Sequence, residues 1–319
     1  MTPQRIAILG TGGTIGNTTA GRLPIARLVD EIAAHEAALD PAGLVVEEAR
    51  RVAGSEIAPA DWLAIRAQAI GLLDRPEVGG LVITHGTFTV EETAWFLHLT
   101  LSSEKPVVVT CAQRKHGQLG NDGDRNLVDA VAVAASGATA GTGVVVAVGQ
   151  EIHSAREVVK LSVHPNGFGS RDLGLLGSLD ADEVTIYRQP RRRHTAGSEF
   201  AALPLDVDLP RVDVVATYAG ADGVAIEACV AAGAAGLVLE GFPYSGKPTR
   251  AQAEALARAA ERGVAVAVAN RGIHGRVPAA QAEGGIGADS LTATKARVLL
   301  MLALAAGRGG ELARIFAEY

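Results

Sequence analysis

The segment 80–97, GLVITHGTFTVEETAWFL, runs through three patterns in one short stretch. A β-branched apolar run ends near Thr84, a loop of hydroxyls and glycine follows, and an amphipathic run opens after Thr89. In order they read as a buried strand, a polar loop and a helix. The one misfit is Phe88, an aromatic ring among hydroxyls.

The same succession repeats outward from this segment: RIAILG, APADWLAIRAQAIGLLD, KPVVVTC, NLVDAVAVAAS and GVVVAVG. Apolar strands alternating with Ala/Leu-rich helices predict an α/β fold, a large N-terminal doubly wound and mostly parallel sheet covered on both faces. A second series, VDVVATY, AIEACVAAG, GLVLEGF, TRAQAEALARAAERG, VAVAVAN and SLTATKARVLLMLALAA, predicts a smaller C-terminal α/β domain with a parallel sheet. Between them lies a stretch rich in proline and charge and lacking either period, so the predicted organisation is 1–188, a linker over 189–211, and 212–319. Its run Arg191–Arg193 reads as a solvated face.

Composition narrows the function. A chain of 319 residues, 48% hydrophobic, buries a sizeable core. With 29 basic against 35 acidic residues the net charge is −6, which lacks the electrostatic footprint of a nucleic-acid or anionic-membrane binder. A small molecule is the expected partner. Cys111 and Cys229 are too few for a disulfide framework or a cysteine zinc site and read as buried thiols. The opening MTPQRIAILGTGG reads as a first strand, its apolar run being too short for a signal-peptide core. No apolar run reaches membrane-spanning length, and a soluble, cytoplasmic protein is expected.

In open α/β sheets ligands bind beyond the carboxyl ends of the strands. Those positions carry Thr11 and Thr14 in GTGGTIG, Ser55 and Glu56 in AGSE, and Thr84, His85 and Thr87 in THGT. Hydroxyls from separate loops suit a nucleophile with hydrogen-bond donors for a carboxylate. GTGGTIG fails as a dinucleotide fingerprint because the third glycine would fall on Ile15. GFPYSGKPT imitates a phosphate loop but has Pro248 where a hydroxyl is required, so it reads as a turn into a helix at Thr249. The eight histidines are dispersed, with no metal-ligand spacing, and neither metal nor cofactor is expected. His85 reads as a structural histidine more readily than as a base. Lys160, in an otherwise uncharged run, is either a partly desolvated base of lowered pKa or a surface lysine.

ILGTGGTIG, AGSE, THGTFTVEETA, NDGDRNLVDAVAVA, EIHSAREVVK and TATKARVLLMLAL resemble, in order and spacing, the successive motifs of bacterial type I/II L-asparaginases. The resemblance covers nearly the whole chain. It implies an amidohydrolase that forms an acyl-enzyme on Thr14 and releases ammonia, with Thr87 and Lys160 as a proton-relay pair. Ser55 and Glu56 match the family's hold on the substrate's α-carboxylate and α-amino group, and backbone N–H groups around Thr14 and Thr87 would polarise the amide oxygen. It also implies a homotetramer built from dimers, or a homodimer, with the site at a subunit interface.

Three departures stand out. Phe88 occupies the position of the family's loop aspartate, NTTAGRLPIARLVDE lacks the lid tyrosine, and Tyr244 in GFPYSGK replaces a neighbour-supplied asparagine. Phe88 has a packing explanation as the residue before a Thr89/Glu92 capping box, stapled to Thr93, and a functional one as part of an altered substrate pocket. Two functions are carried forward: hydrolysis of asparagine or a related carboxylate amide, including one without a free α-amino group, and non-catalytic amino-acid sensing in the same fold.

Overall fold

The computed structural model describes residues 4–280 and 282–319. The chain divides into two compact units between Leu205 and Asp206.

The strands of the first unit are β1 (Arg5–Gly12), β2 (Leu44–Val52), β3 (Val78–His85), β4 (Val107–Cys111), β5 (Val144–Val148), β6 (Glu151–Ser154), β7 (Val159–Lys160), β8 (Phe168–Gly169), β9 (Gly177–Asp180) and β10 (Glu183–Ile186). Its helices are α1 (Ile25–Ala33), α2 (Pro59–Leu73), α3 (Val90–Thr100) and α4 (Gly123–Ser136). Eight strands form one sheet in the order β10-β9-β6-β5-β4-β3-β1-β2. The pairs from β2 to β5 are parallel, and β6, β9 and β10 join antiparallel at the far edge. β4 and β5 are buried at every residue, which explains their unbroken Val-rich sequences. β2, LVVEEARRV, escapes an apolar-run reading because it is an edge strand with charged side chains between its apolar ones.

Each helix is specified locally. α1 buries Ile25, Leu28, Val29 and Ile32, the i, i+3, i+4, i+7 stripe of a half-covered helix. α2 begins with Pro59 at its first position, and Asp61 accepts the Ala58 N–H at 2.9 Å. α4 stops at Gly137, whose φ of 70° a glycine adopts without strain.

Residues 189–205 are packed structure and belong to the first unit rather than to a bare linker. Phe200 is fully buried, and the buried Arg66 donates to the carbonyls of Ala201, Leu203 and Pro204.

The second unit has a four-stranded parallel sheet, β11 (Val212–Ala216), β12 (Gly236–Gly241), β13 (Ala265–Asn270) and β14 (Ile286–Gly287), in sequence order. Its helices are α5 (Val224–Ala231), α6 (Arg250–Glu261), α7 (Ala293–Ala305) and α8 (Leu312–Glu318). Thr249 caps α6 by accepting the Gln252 N–H at 3.2 Å, so GFPYSGKPT is a turn into a helix. Among the described residues no helix is long and apolar enough to cross a membrane.

Candidate active site

The strand order places a topological switch point between β1 and β3: the chain passes from β1 to β2 on one side, then crosses to β3 on the other. A crevice opens at such a point beyond the carboxyl ends of the strands. Gly12 (φ 99°) and Gly13 (φ 84°) carry the chain out of β1 in conformations that side chains resist. A Cβ on Gly13 would lie 2.5 Å from Gly86 Cα, and one on Gly86 would lie 2.7 Å from Gly54 Cα. The exits of β1, β2 and β3 therefore meet backbone to backbone, and the residues that follow these glycines are Thr14, Ser55 and Thr87.

Hydrogen bonds fix this meeting. Gly13 N–H donates to Val52 O at 3.0 Å, Thr11 Oγ1 to Thr84 O at 2.7 Å, and Thr89 Oγ1 to Gly54 O at 2.7 Å. The expected capping box is thereby corrected. Thr89 precedes α3 but makes no side-chain cap, its hydroxyl being oriented to donate to Gly54 O on the neighbouring loop. The expected staple fails too: Thr93 is fully buried and its Oγ1 accepts from Trp62 Nε1 at 3.0 Å, whereas Phe88 is 71% exposed.

Thr14 is half-buried at the start of a short 3-10 turn, Thr14–Gly16. Thr87 is buried, and its Oγ1 accepts from Lys160 Nζ at 2.7 Å. Lys160 stands on the two-strand hairpin β7–β8, and its backbone N–H donates to Glu91 Oε1 at 2.7 Å. Burial pulls the Lys160 pKa below the ordinary lysine value, against the opposing pull of Cys111 and Glu91. The Lys160 ammonium also lies 5.0 Å from the Phe88 ring centroid. Ser55 and Glu56 are exposed, and Glu56 Oε2 accepts the Ala53 N–H at 3.0 Å.

His85 is structural in its surroundings. It is fully buried, its Nδ1 pairs with Gly86 O at 2.9 Å, and burial lowers its pKa to about 4, leaving a neutral ring that orders the Gly86 turn. Cys111, opposite His85 in the sheet, is buried with its thiol pKa pushed up, while Cys229 is only half-buried.

The segment after Thr14 is a tight turn closed on itself. Thr18 N–H donates to Gly21 O at 2.7 Å and Arg22 Nε to Asn17 Oδ1 at 2.8 Å, while His116 N–H holds Asn17 O at 2.8 Å. Tyr244 belongs to the second unit. It is 94% exposed with φ 94°, in the turn bridged by Phe242 and Lys247. Glu91 and the trio Gly13, Gly54 and Gly86 are site-building residues that motif reading passed over. Glycine immediately after an apolar strand was the available signal for the trio. Among the described residues no group of three or more His, Cys, Asp or Glu is arranged to hold a metal ion.

The description Asparaginase, N-terminal matches residues 5–192, and Glutaminase/Asparaginase C-terminal domain matches residues 211–316. The chain belongs to the asparaginase family. It is 34% identical to L-asparaginase 2 of Bacillus subtilis over 310 residues, covering 94% of this chain and 82% of that one. It is 33% identical to L-asparaginase 2 of Escherichia coli over 330 residues, covering 98% and 93%. It also superposes on a solved asparaginase-family structure, the probable cytoplasmic L-asparaginase of Campylobacter jejuni, with TM-score 0.91, 34% identity and coverage of 99% and 100%. The two-domain α/β architecture predicted from the motifs is thus the family's.

Proposed function

We propose that the protein is an amidohydrolase that cleaves the side-chain amide of L-asparagine or a related small carboxylate amide. The observation that carries this is the 2.7 Å bond from Lys160 Nζ to Thr87 Oγ1 beside the Thr14 loop, at the switch point of the sheet. In this reading Thr14 Oγ1 attacks the amide carbon, a C–O bond forms, the C–N bond breaks, and the hydroxyl proton passes to the departing nitrogen as ammonia. Water then attacks the ester, giving the carboxylic acid and restoring the threonine hydroxyl. Neutral Lys160 takes a proton through Thr87 and returns it, the role its lowered pKa suits. Ser55 and Glu56 hold the far end of the substrate, and backbone N–H groups beside Thr14 and Thr87 polarise the carbonyl oxygen. Phe88 lines the pocket, and Tyr244 of a neighbouring subunit forms its rim.

The Lys160 bond also favours a second reading, in which Thr87 itself is the nucleophile. Mass spectrometry of an acyl-enzyme trapped with a slow amide separates the two: the added mass falls on the peptide with Thr14 in the first and with Thr87 in the second. Ammonia release from asparagine and glutamine tests the activity, and Thr14→Ala should lower kcat by at least about 10³-fold. Unchanged turnover in that variant would remove Thr14 from the role. Tight amino-acid binding in calorimetry without turnover would favour the sensor instead.

The assembly in this reading is a homotetramer or homodimer with the site at a subunit interface, supported by the exposed Tyr218, Val224 and Tyr244 of the second unit. Sedimentation measures it. A cytoplasmic location is part of the same reading, supported by the likeness to the Campylobacter jejuni protein.

A further inference from the structure

We propose that Phe88 makes the Thr87 side of the site select carboxylate amides whose α-nitrogen is acylated or absent, in preference to free amino acids. The inference rests on the amidohydrolase reading and names its substrate class.

The ring has no packing task to explain it. It is 71% exposed, and Thr93, the residue that would staple it to α3, faces inward to Trp62. An exposed ring beside a reacting hydroxyl gains from covering apolar or acyl surface. The loop Thr87–Thr89 contributes two hydroxyls and this ring, and no charge. The amine over the ring is the one that serves the hydroxyl: Lys160 Nζ lies 5.0 Å from its centroid and 2.7 Å from Thr87 Oγ1. A substrate ammonium seated against Phe88 would meet no anion on this loop.

Two carboxylates of these segments each have one oxygen bound to backbone. Glu91 Oε1 accepts the Lys160 N–H at 2.7 Å, and Glu56 Oε2 accepts the Ala53 N–H at 3.0 Å. Each bond engages one carboxylate oxygen and leaves the other for a further partner. An acyl group on the α-nitrogen removes the positive charge and offers apolar surface to the ring. Omission of the nitrogen removes the charge alone.

The test measures ammonia release by the purified full-length protein from asparagine, N-acetylasparagine and succinamate. The expected result is a kcat/KM at least about tenfold higher for N-acetylasparagine or succinamate than for asparagine. N-acetylasparagine ahead of succinamate would assign the acyl group to the ring; the reverse would assign the missing charge as the selected feature. Phe88→Asp should shift the ratio at least about tenfold toward asparagine, and Phe88→Ala should weaken N-acetylasparagine mainly through KM. Asparagine equal or preferred in the wild type, or a ratio unmoved in Phe88→Asp, overturns the proposal while leaving the amidohydrolase reading standing. No ammonia from any of the three overturns that reading, and the proposal with it.

Discussion

Lys160 is tied at both ends to one β–α connection: its Nζ donates to Thr87 Oγ1 at 2.7 Å and its backbone N–H to Glu91 Oε1 at 2.7 Å. The loop that carries Thr87 and the first turn of α3 together set where the lysine sits. The same arrangement sets its proton affinity, since burial lowers the Lys160 pKa while Cys111 and Glu91 raise it.

A relay lysine must be neutral to accept a proton, so kcat/KM should rise with pH along a limb below the ordinary lysine value of 10.5. Glu91→Gln keeps an oxygen for the Lys160 N–H and removes a negative charge that favours the ammonium, so the limb should move to lower pH. Lys160→Met should lower kcat by about 10²–10⁴-fold. A pH–rate profile of wild type and Glu91→Gln checks this, and coincident limbs would remove Lys160 from the relay.

The meeting of three loops at Gly13, Gly54 and Gly86 leaves no room for a methyl group. A Cβ on Gly86 would stand 2.7 Å from Gly54 Cα and 2.8 Å from Gly54 N, backbone atoms that move only with their loops. Gly86→Ala should cost about 1–3 kcal/mol of stability and push Thr87 away from the Thr14 loop, lowering kcat more than it raises KM. Gly43→Ala, where a Cβ meets nothing within 4 Å, is the control. Equal effects of the two substitutions in urea melts and kinetics would contradict the close approach.

What could be read in the sequence follows from what made its pattern. β4 and β5 are buried on both faces and show as unbroken apolar runs, so the sheet and its hydroxyl-bearing exits were legible. β2 was not, because an edge strand mixes charge into its alternation. The capping signature at Thr89 and Glu92 was present as letters, but the hydroxyl went to Gly54, 35 residues away along the chain, and local spacing cannot report such a partner. Glu91 escaped notice for the same reason, since its partner is Lys160. Residues 195–202 lack either period because they form short 3-10 turns packed on the first unit, which leaves no amphipathic stripe.

Arg66 is buried and donates to the carbonyls of Thr100 at 3.1 Å, Ala201 at 3.1 Å, Leu203 at 2.7 Å and Pro204 at 3.0 Å. Burial lowers its pKa, yet a guanidinium stays charged at neutral pH. Arg66→Met would keep most of the stem's packing and strand several carbonyls, at a cost of about 3 kcal/mol. Thermal melts should show the loss, and limited proteolysis should open first near residues 201–204. A melt within a degree of wild type would mean that water replaces the guanidinium without penalty.

Asp129 on α4 is a buried carboxyl with the sign of its pH dependence reversed from the usual one. Burial raises its pKa from 3.8 to about 6, Asp182 adds to the rise, and the Arg125 guanidinium, whose Nε lies 2.7 Å from Asp129 Oδ1, opposes it. The folded chain therefore binds this proton more tightly than the unfolded chain does. The stability from that proton is fully present below pH 4 and is lost as pH rises through about 6, a swing on the order of 3 kcal/mol. Asp129→Asn keeps an oxygen for Arg125 and has no proton to lose, so it should be more stable than wild type at pH 8 by up to that amount, with the difference vanishing toward pH 4. Chemical unfolding of both proteins between pH 4.5 and 8 provides the comparison. A variant less stable than wild type at pH 8 would mean that the ion pair with Arg125 outweighs the burial of the carboxylate.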